Sequence, residues 1–234
     1  IERFEQGTDA YHIPYLVRLR QDANIELLSA ALTVVINRHP VLKTVFCSDD
    51  DGSEYQQVLA EDVAIQTREI TTEADLHTAV KQDISQRFDL TAQPSIRLCL
   101  YRSLYRGKKP QLHLLVVWHH IAFDGWSSEV FISELTQAYE ALCQGQSPCL
   151  PSLSINYGDY ALWQRQYLQG DKLAVLESYW LQQLGGYETL ALPTDRVRPL
   201  QQQFEGKDLA FNLADDLSQQ VRALAKAQQT TVYT

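Results

Sequence analysis

Gln111-Leu112-His113-Leu114-Leu115-Val116-Val117-Trp118-His119-His120-Ile121-Ala122-Phe123-Asp124-Gly125-Trp126-Ser127 passes from an apolar run, through two histidines, into a polar turn. Successive strand side chains point to opposite faces. Leu114, Val116 and Trp118 are as apolar as Leu115 and Val117. Gln111–Trp118 is therefore predicted to be a central strand covered on both faces. A helix is expected after it, from about Ser128 to Cys143, with Phe131, Leu135, Tyr139 and Leu142 on its inner side. A strand end feeding a helix presents side chains from a rigid support, where site residues are commonly placed.

The rest of the chain reads outward from this strand. Tyr11–Arg20 alternates as a strand. Asn24 can cap a helix carrying Leu28, Ala31, Leu32 and Val35 on one face. That helix should end near His39, because Pro40 disfavours helical geometry in the residue before it. Val41–Ser48 and Tyr55–Leu59 are expected to pair as a hairpin across Asp49–Ser53, and Val63–Ile70 is a further strand. Thr72 with Asp75 resembles a capping box, followed by a stripe of Leu76, Val80, Ile84 and Phe88. Ile96–Tyr101 is a strand joined to the central one across the basic turn Arg106–Lys109, and Tyr157–Leu168 and Lys172–Leu184 read as helices. Residues 1–191 thus form one lobe. Residues 192–206, with prolines, three successive glutamines and no periodicity, read as a linker. Residues 207–234 hold only a strand, Lys207–Leu213, and a helix, Leu217–Gln228, too little to enclose a core, and are expected to begin a truncated second lobe.

Composition narrows the functional classes. The 234 residues carry 20 Lys plus Arg against 29 Asp plus Glu, a formal charge of −9. Such a balance suits neither a nucleic-acid backbone nor an anionic membrane surface. Apolar runs such as Leu114–Trp118 fall far short of the about 20 residues a membrane span needs. Ile1–Glu5 lacks a signal-peptide core, and a cytoplasmic protein is expected. Cys47, Cys99, Cys143 and Cys149 form no C-x-x-C pair and read as free thiols in a reducing compartment, although Cys143 and Cys149 are close enough in sequence for a bridge.

The chemistry concentrates at His119–Ser127. If the strand persists, His119 and His120 face opposite ways, so one imidazole serves the reacting atoms and the other packs; periodicity alone does not choose between them. Asp124 in the turn needs a cation or backbone donors if buried. Gly125 implies positive φ or close approach by another chain or ligand. His-x-x-x-Asp without a third ligand does not make a metal site, and no nucleotide-binding loop is present.

Trp118–Ser127 resembles the His-His-x-x-x-Asp-Gly-Trp-Ser signature of condensation domains of nonribosomal peptide synthetases, within the chloramphenicol acetyltransferase-like superfamily. Other segments resemble the family's motifs in order: Asn37–Phe46 its Arg-His-Glu-x-Leu-Arg-Thr-x-Phe motif, Arg87–Arg97 its Phe-Asp-Leu…Pro-Leu-x-Arg stretch, Tyr157–Trp163 its Tyr-x-Asp-Phe-Ala-x-Trp motif, and Leu192–Arg196 the start of its linker. Pro40 and Lys43 replace a Glu and an Arg of that pattern. The resemblance implies an α/β fold: an α+β two-layer sandwich with a mixed sheet covered by helices, forming the N-terminal lobe and the start of a C-terminal lobe.

By the same resemblance the activity is that of an acyltransferase. An amide would form between a donor aminoacyl or peptidyl thioester and the α-amine of an acceptor aminoacyl thioester. Both substrates would ride on 4'-phosphopantetheine arms of upstream and downstream peptidyl carrier domains, with an adenylation domain as neighbour and no cofactor bound by the domain itself. His120 is implied as the catalytic residue. His119, Asp124, Gly125, Trp126 and Ser127 are implied as supports, with Asp124 paired to Arg38 or, failing that, to Arg97. Gly7–Pro14 and Ile121–Trp126 resemble the subtype that takes a D-configured donor. An epimerisation domain, or a catalytically silent docking platform for carrier or tailoring proteins, are the alternative readings.

Overall fold

In the computed structural model, residues 9–104, 110–197, 200 and 209–233 are described. The chain divides into two compact units, Ile1–Ala191 and Leu192–Thr234. The first unit contains β1 (His12–Arg18), α1 (Ile25–Arg38), a 3₁₀ turn (Pro40–Lys43), β2 (Thr44–Ser48), β3 (Glu54–Val58), β4 (Ile65–Ile70) and α2 (Glu73–Ser85). It continues with β5 (Ile96–Ser103), β6 (Gln111–His119), α3 (Gly125–Cys143), α4 (Tyr157–Tyr167) and α5 (Gly170–Gln183). The second unit contributes α6 (Asp215–Ala227).

Local chemistry fixes the ends of these elements. Asn24 caps α1 by accepting the Leu27 amide, and reciprocal capping boxes start α2 at Thr72 and Asp75 and α4 at Asn156 and Asp159. The strand expected from Val41 begins only at Thr44, because Pro40 at the first position starts a 3₁₀ turn. The hairpin turn closes as Asp49 Oδ1 accepts from the amides of Asp51 and Ser53, with Gly52 at φ 78°.

The main sheet has the order β1-β6-β5-β4. β6 runs antiparallel to both of its neighbours, β1 and β5, while β4 and β5 are parallel, so the sheet is mixed. β2 and β3 form a separate two-stranded sheet. The expected α/β lobe with a mixed sheet covered by helices is therefore what forms.

The two-sided apolarity of β6 has a direct cause. Leu114, Val116 and Trp118 join one core with Leu32, Val35 and Ile36 of α1 and Phe131 and Ala138 of α3. Leu115 and Val117 join a second core beneath α2, with Cys99, Tyr101, Ala79 and Phe88. Phe88, expected as the last residue of the α2 stripe, lies beyond the helix end at Ser85 and still packs into that core. Its ring is held from outside the helix, under the Arg97 guanidinium of β5.

Two expectations about the second unit fare differently. α6 begins two residues before Leu217, with Asp215 and Asp216 in its first turn, where acidic groups complement the helix dipole. The strand expected at Lys207–Leu213 is absent over its described part: Leu209–Leu213 is irregular and pairs with no other strand among the described residues. Lys207 and Asp208, most of residues 198–206 of the linker, the Arg106–Lys109 turn, and Gly7 and Thr8 lie outside the described residues.

Candidate active site

β6 ends at His119, and His120 is the first residue of the turn beyond it. This one-residue boundary separates the two histidines. His119 stays on the face of Leu115 and Val117, is 4% exposed, and packs edge-on against Phe88 and His12 with ring centroids 5.9 and 6.1 Å away. Its Nδ1 accepts from the Ile121 amide at 3.1 Å, so the ring proton sits on Nε2 and the turn is tied to the imidazole. His120 is exposed.

The turn is anchored by its main chain. The His119 amide donates to Ser95 O at 2.9 Å, the His120 amide to Tyr11 O at 2.8 Å, and the Ala122 amide to His119 O at 3.0 Å. Phe123 then drives back into the core, stacked on Trp118 at 4.1 Å and nearly parallel. His120 is thus held between two fixed points, the strand end and the Trp118–Phe123 stack.

The turn borders an open cleft of about 1540 Å³. Tyr11, His119, His120 and Ile121 form one wall, and the loop from Arg87 to Gln93 adjoins it. The β2–β3 hairpin contributes Phe46, Cys47 and Tyr55, and α4 with its N-cap supplies Asn156, Leu162 and, from its last turn, Arg165. No local pattern signals that the hairpin and α4 share a cleft with the histidines, since that convergence is tertiary. The pointers in sequence are that β2 up to Phe46 and α4 up to Trp163 lie in segments resembling family motifs.

Asp124 does something other than expected. It is exposed, and among the described residues it forms no ion pair with Arg38 or Arg97. Instead it is the N-cap of α3: its Oδ1 accepts from the Ser127 amide at 2.9 Å and the Ser127 hydroxyl at 2.6 Å. The Ser127 hydroxyl, then its amide, holds the Asp124 carboxyl below the usual carboxylate range. Ser127 is therefore the partner of the cap rather than the cap itself.

Gly125 opens α3 without positive φ, and a Cβ built there would meet nothing within 4 Å. Its expected backbone strain is absent, because an extended N-cap leads into helical geometry that any residue adopts. Trp126 is 81% exposed on the first turn.

The two arginines have other carbonyl and carboxylate partners. Arg38 Nε pairs with Glu134 at 2.9 Å, and its Nη2 donates to Pro151 O. His39 Nε2 lies 2.6 Å from the other Glu134 oxygen. This clamp joins α1 to α3. Arg97, buried on β5, donates to the carbonyls of Asp83, Gln86 and Arg87 and lies over the Phe88 ring at 4.3 Å. It closes the end of α2 and shapes the loop that lines the cleft. Asp124 was expected as the partner, yet Arg38 is taken by the Glu134 carboxylate and Arg97 by carbonyls at and just beyond the end of α2, where intrahelical donors run out.

Among the described residues no group of three or more His, Cys, Asp or Glu side chains is placed to hold a metal ion, and no helix is long and apolar enough to cross a membrane. Cys47, Cys99, Cys143 and Cys149 are all free thiols.

A strand-end double histidine over a cleft, on a mixed sheet with these motifs, defines a class. A family model described as "Condensation domain" matches residues 1–234. The chain belongs to this family. It is 34% identical over 236 residues to N-(5-amino-5-carboxypentanoyl)-L-cysteinyl-D-valine synthase of Amycolatopsis lactamdurans, covering 100% of this chain and 6% of that protein. It is 32% identical over 231 residues to malpinin synthetase of Mortierella alpina, covering 97% of this chain and 3% of that protein.

Among solved structures, the X-domain in complex with OxyB from teicoplanin biosynthesis superposes with a TM-score of 0.77 at 26% identity, over 94% of this chain and 49% of that one. The epimerization domain from the third module of tyrocidine synthetase B superposes at 0.69 with 23% identity, over 84% of this chain and 45% of that one, and shows the fold alone. The chain thus spans a small part of the curated relatives and about half of the solved chains it matches.

Proposed function

We propose that this chain takes part in amide-bond formation in nonribosomal peptide synthesis, with His120 as the catalytic residue. The observation that carries this reading is the split between the two imidazoles: His119 is buried behind the turn, while His120 stands exposed at the cleft. Donor and acceptor are thioesters on the phosphopantetheine arms of two carrier domains, and an adenylation domain is the expected neighbour. The acceptor α-amine attacks the donor thioester carbonyl. The new C–N bond forms, the C–S bond breaks, and the proton lost by nitrogen goes to the departing thiolate.

A free α-amine has a pKa of about 7.7–8.0 and is largely protonated at neutral pH. A neutral imidazole at the cleft accepts a proton from the nitrogen or holds the amine in line with the carbonyl. Because a thioester is already activated, orientation supplies a large part of the acceleration. Asp124 acts at one remove, by starting α3 directly after the turn.

The finer reading is a donor with a D-configured terminal residue, supported by the sequence resemblance of Gly7–Pro14 and Ile121–Trp126 to that subtype. The test is single-turnover coupling on the full-length protein, with donor and acceptor thioesters loaded on carriers. His120→Ala should abolish product while carrier binding persists. Turnover close to the parent's removes His120 as catalyst. Equal rates for D- and L-donors remove the stereochemical assignment. Epimerised donor without amide product would identify an epimerase, and carrier binding without any product by the parent would identify a docking platform.

A further inference from the structure

The proposed chemistry leaves one buried titratable side chain beside the double histidine unused. His12, the first residue of β1, is 9% exposed and directly opposite His119 in the strand register. Its Nδ1 lies 2.6 Å from Ile84 O; a carbonyl only accepts, so Nδ1 carries the proton. The ring packs edge-on against Phe88, with centroids 5.0 Å apart. Its Nε2 is buried without a hydrogen-bond partner among the described residues. A phenylalanine would fill the same space without stranding an acceptor, so the Nδ1–H accounts for a histidine here.

That proton has a specific task. Ile84 is in the last turn of α2, where carbonyls lack intrahelical donors. Arg97 of β5 takes the neighbouring carbonyls of Asp83, Gln86 and Arg87, and His12 of β1 takes that of Ile84. Two strands thus complete the end of one helix. The residue before His12 is Tyr11, whose carbonyl accepts the amide of His120.

We propose that His12 is a positioning residue for His120: by fastening the start of β1 to the end of α2, it fixes the Tyr11 carbonyl that holds the His120 amide. This rests on the catalytic role proposed above for His120. Burial keeps His12 neutral by lowering its pKa, which preserves Nε2 as the bare nitrogen and Nδ1 as the donor.

The test is steady-state coupling on the full-length protein with carrier-loaded donor and acceptor. His12→Phe keeps the packing and loses the donor; kcat should fall at least about tenfold with the KM for either carrier unchanged. His12→Asn places an N–H where Nδ1–H stood and should recover most of the lost turnover. His12→Gln places it at the Nε2 position and should not. Parent-like kcat in His12→Phe, or a rise in KM that accounts for the whole loss, overturns the inference. If His12→Phe fails to fold, the Asn and Gln variants decide, and equal turnover between them overturns it. His120→Ala is the control: its retention of activity would sink the catalytic reading and this inference together. Its inactivity alongside a fully active His12→Phe would sink this inference alone.

Discussion

Replacing Asp124 separates a cap from a catalyst. Family resemblance pairs this carboxylate with an arginine; in the structure it accepts two hydrogen bonds from Ser127, at 2.9 Å from the amide and 2.6 Å from the hydroxyl. Loss of an N-cap side chain costs about 1 kcal/mol. The charge at the helix N-terminus supplies about 0.3–1 kcal/mol of stabilisation at an exposed site. Asp124→Ala removes both and should destabilise by about 1–2 kcal/mol. For a domain of this size each kcal/mol is worth about 2–4 °C, so the unfolding midpoint should fall by about 2–8 °C.

Asp124→Asn keeps the acceptor and loses only the charge, because Asn caps as well as Asp. It should lower the midpoint by no more than about 4 °C at the upper end of both ranges. Coupling activity should follow the same order: mildly reduced in Asn, more strongly reduced in Ala as the start of α3 loosens behind the His120 turn. The assays are fluorimetric unfolding and single-turnover amide formation on the same preparations. An Asn variant with an unchanged midpoint and no activity would refute the reasoning, since it would show the charge itself acting in the reaction.

Asp83 is 1% exposed and accepts from the Tyr101 hydroxyl at 2.6 Å and from Arg68 at 2.5 Å. Asp83→Ala should cost about 2 kcal/mol, mostly the stranded hydroxyl, because the Arg68 side chain is 41% exposed and rehydrates. Chemical denaturation checks this, and a matching loss in Tyr101→Phe that does not add to it would locate the coupling. Burial, then Asp83, pushes the Cys99 thiol up to about 11. Exposed Cys143 and Cys149 should therefore be alkylated by iodoacetamide at about pH 8 while Cys99 stays unmodified until unfolding, as read by peptide mass spectrometry. Burial also holds His12 and His113 below the ordinary histidine pKa. The unfolded chain then binds more protons than the native one as pH falls through about 6.5, so stability should decline on acidification below that value. Denaturation midpoints between about pH 7 and 5 test this, and His12→Asn should flatten the slope.

The parts of the fold that could be read from sequence were those governed by neighbours along the chain. Asn24, the Thr72–Asp75 box and the Asp49–Ser53 turn involve partners close in sequence, and each formed as the residues dictated. The apolarity of β6 on both faces announced its two cores. What sequence left open depended on partners far away in the chain. Arg97 meets the end of α2, Arg38 meets Glu134, and neither contact has a local signature. At the site, the histidine pair and the helix after it were legible. The choice between His119 and His120 came from resemblance, because it turns on where β6 ends, to within one residue, and apolar patterning does not specify that.

The bonds that hold His119–Ala122 run almost wholly through peptide groups, with Ser95, Tyr11 and the turn itself as partners. Such a scaffold is indifferent to what the side chain of Ile121 is, and that side chain lies exposed along the cleft wall. A mutation there can reshape the cleft while the neighbouring imidazole keeps its place, so the lining can diversify without displacing the proposed catalytic group.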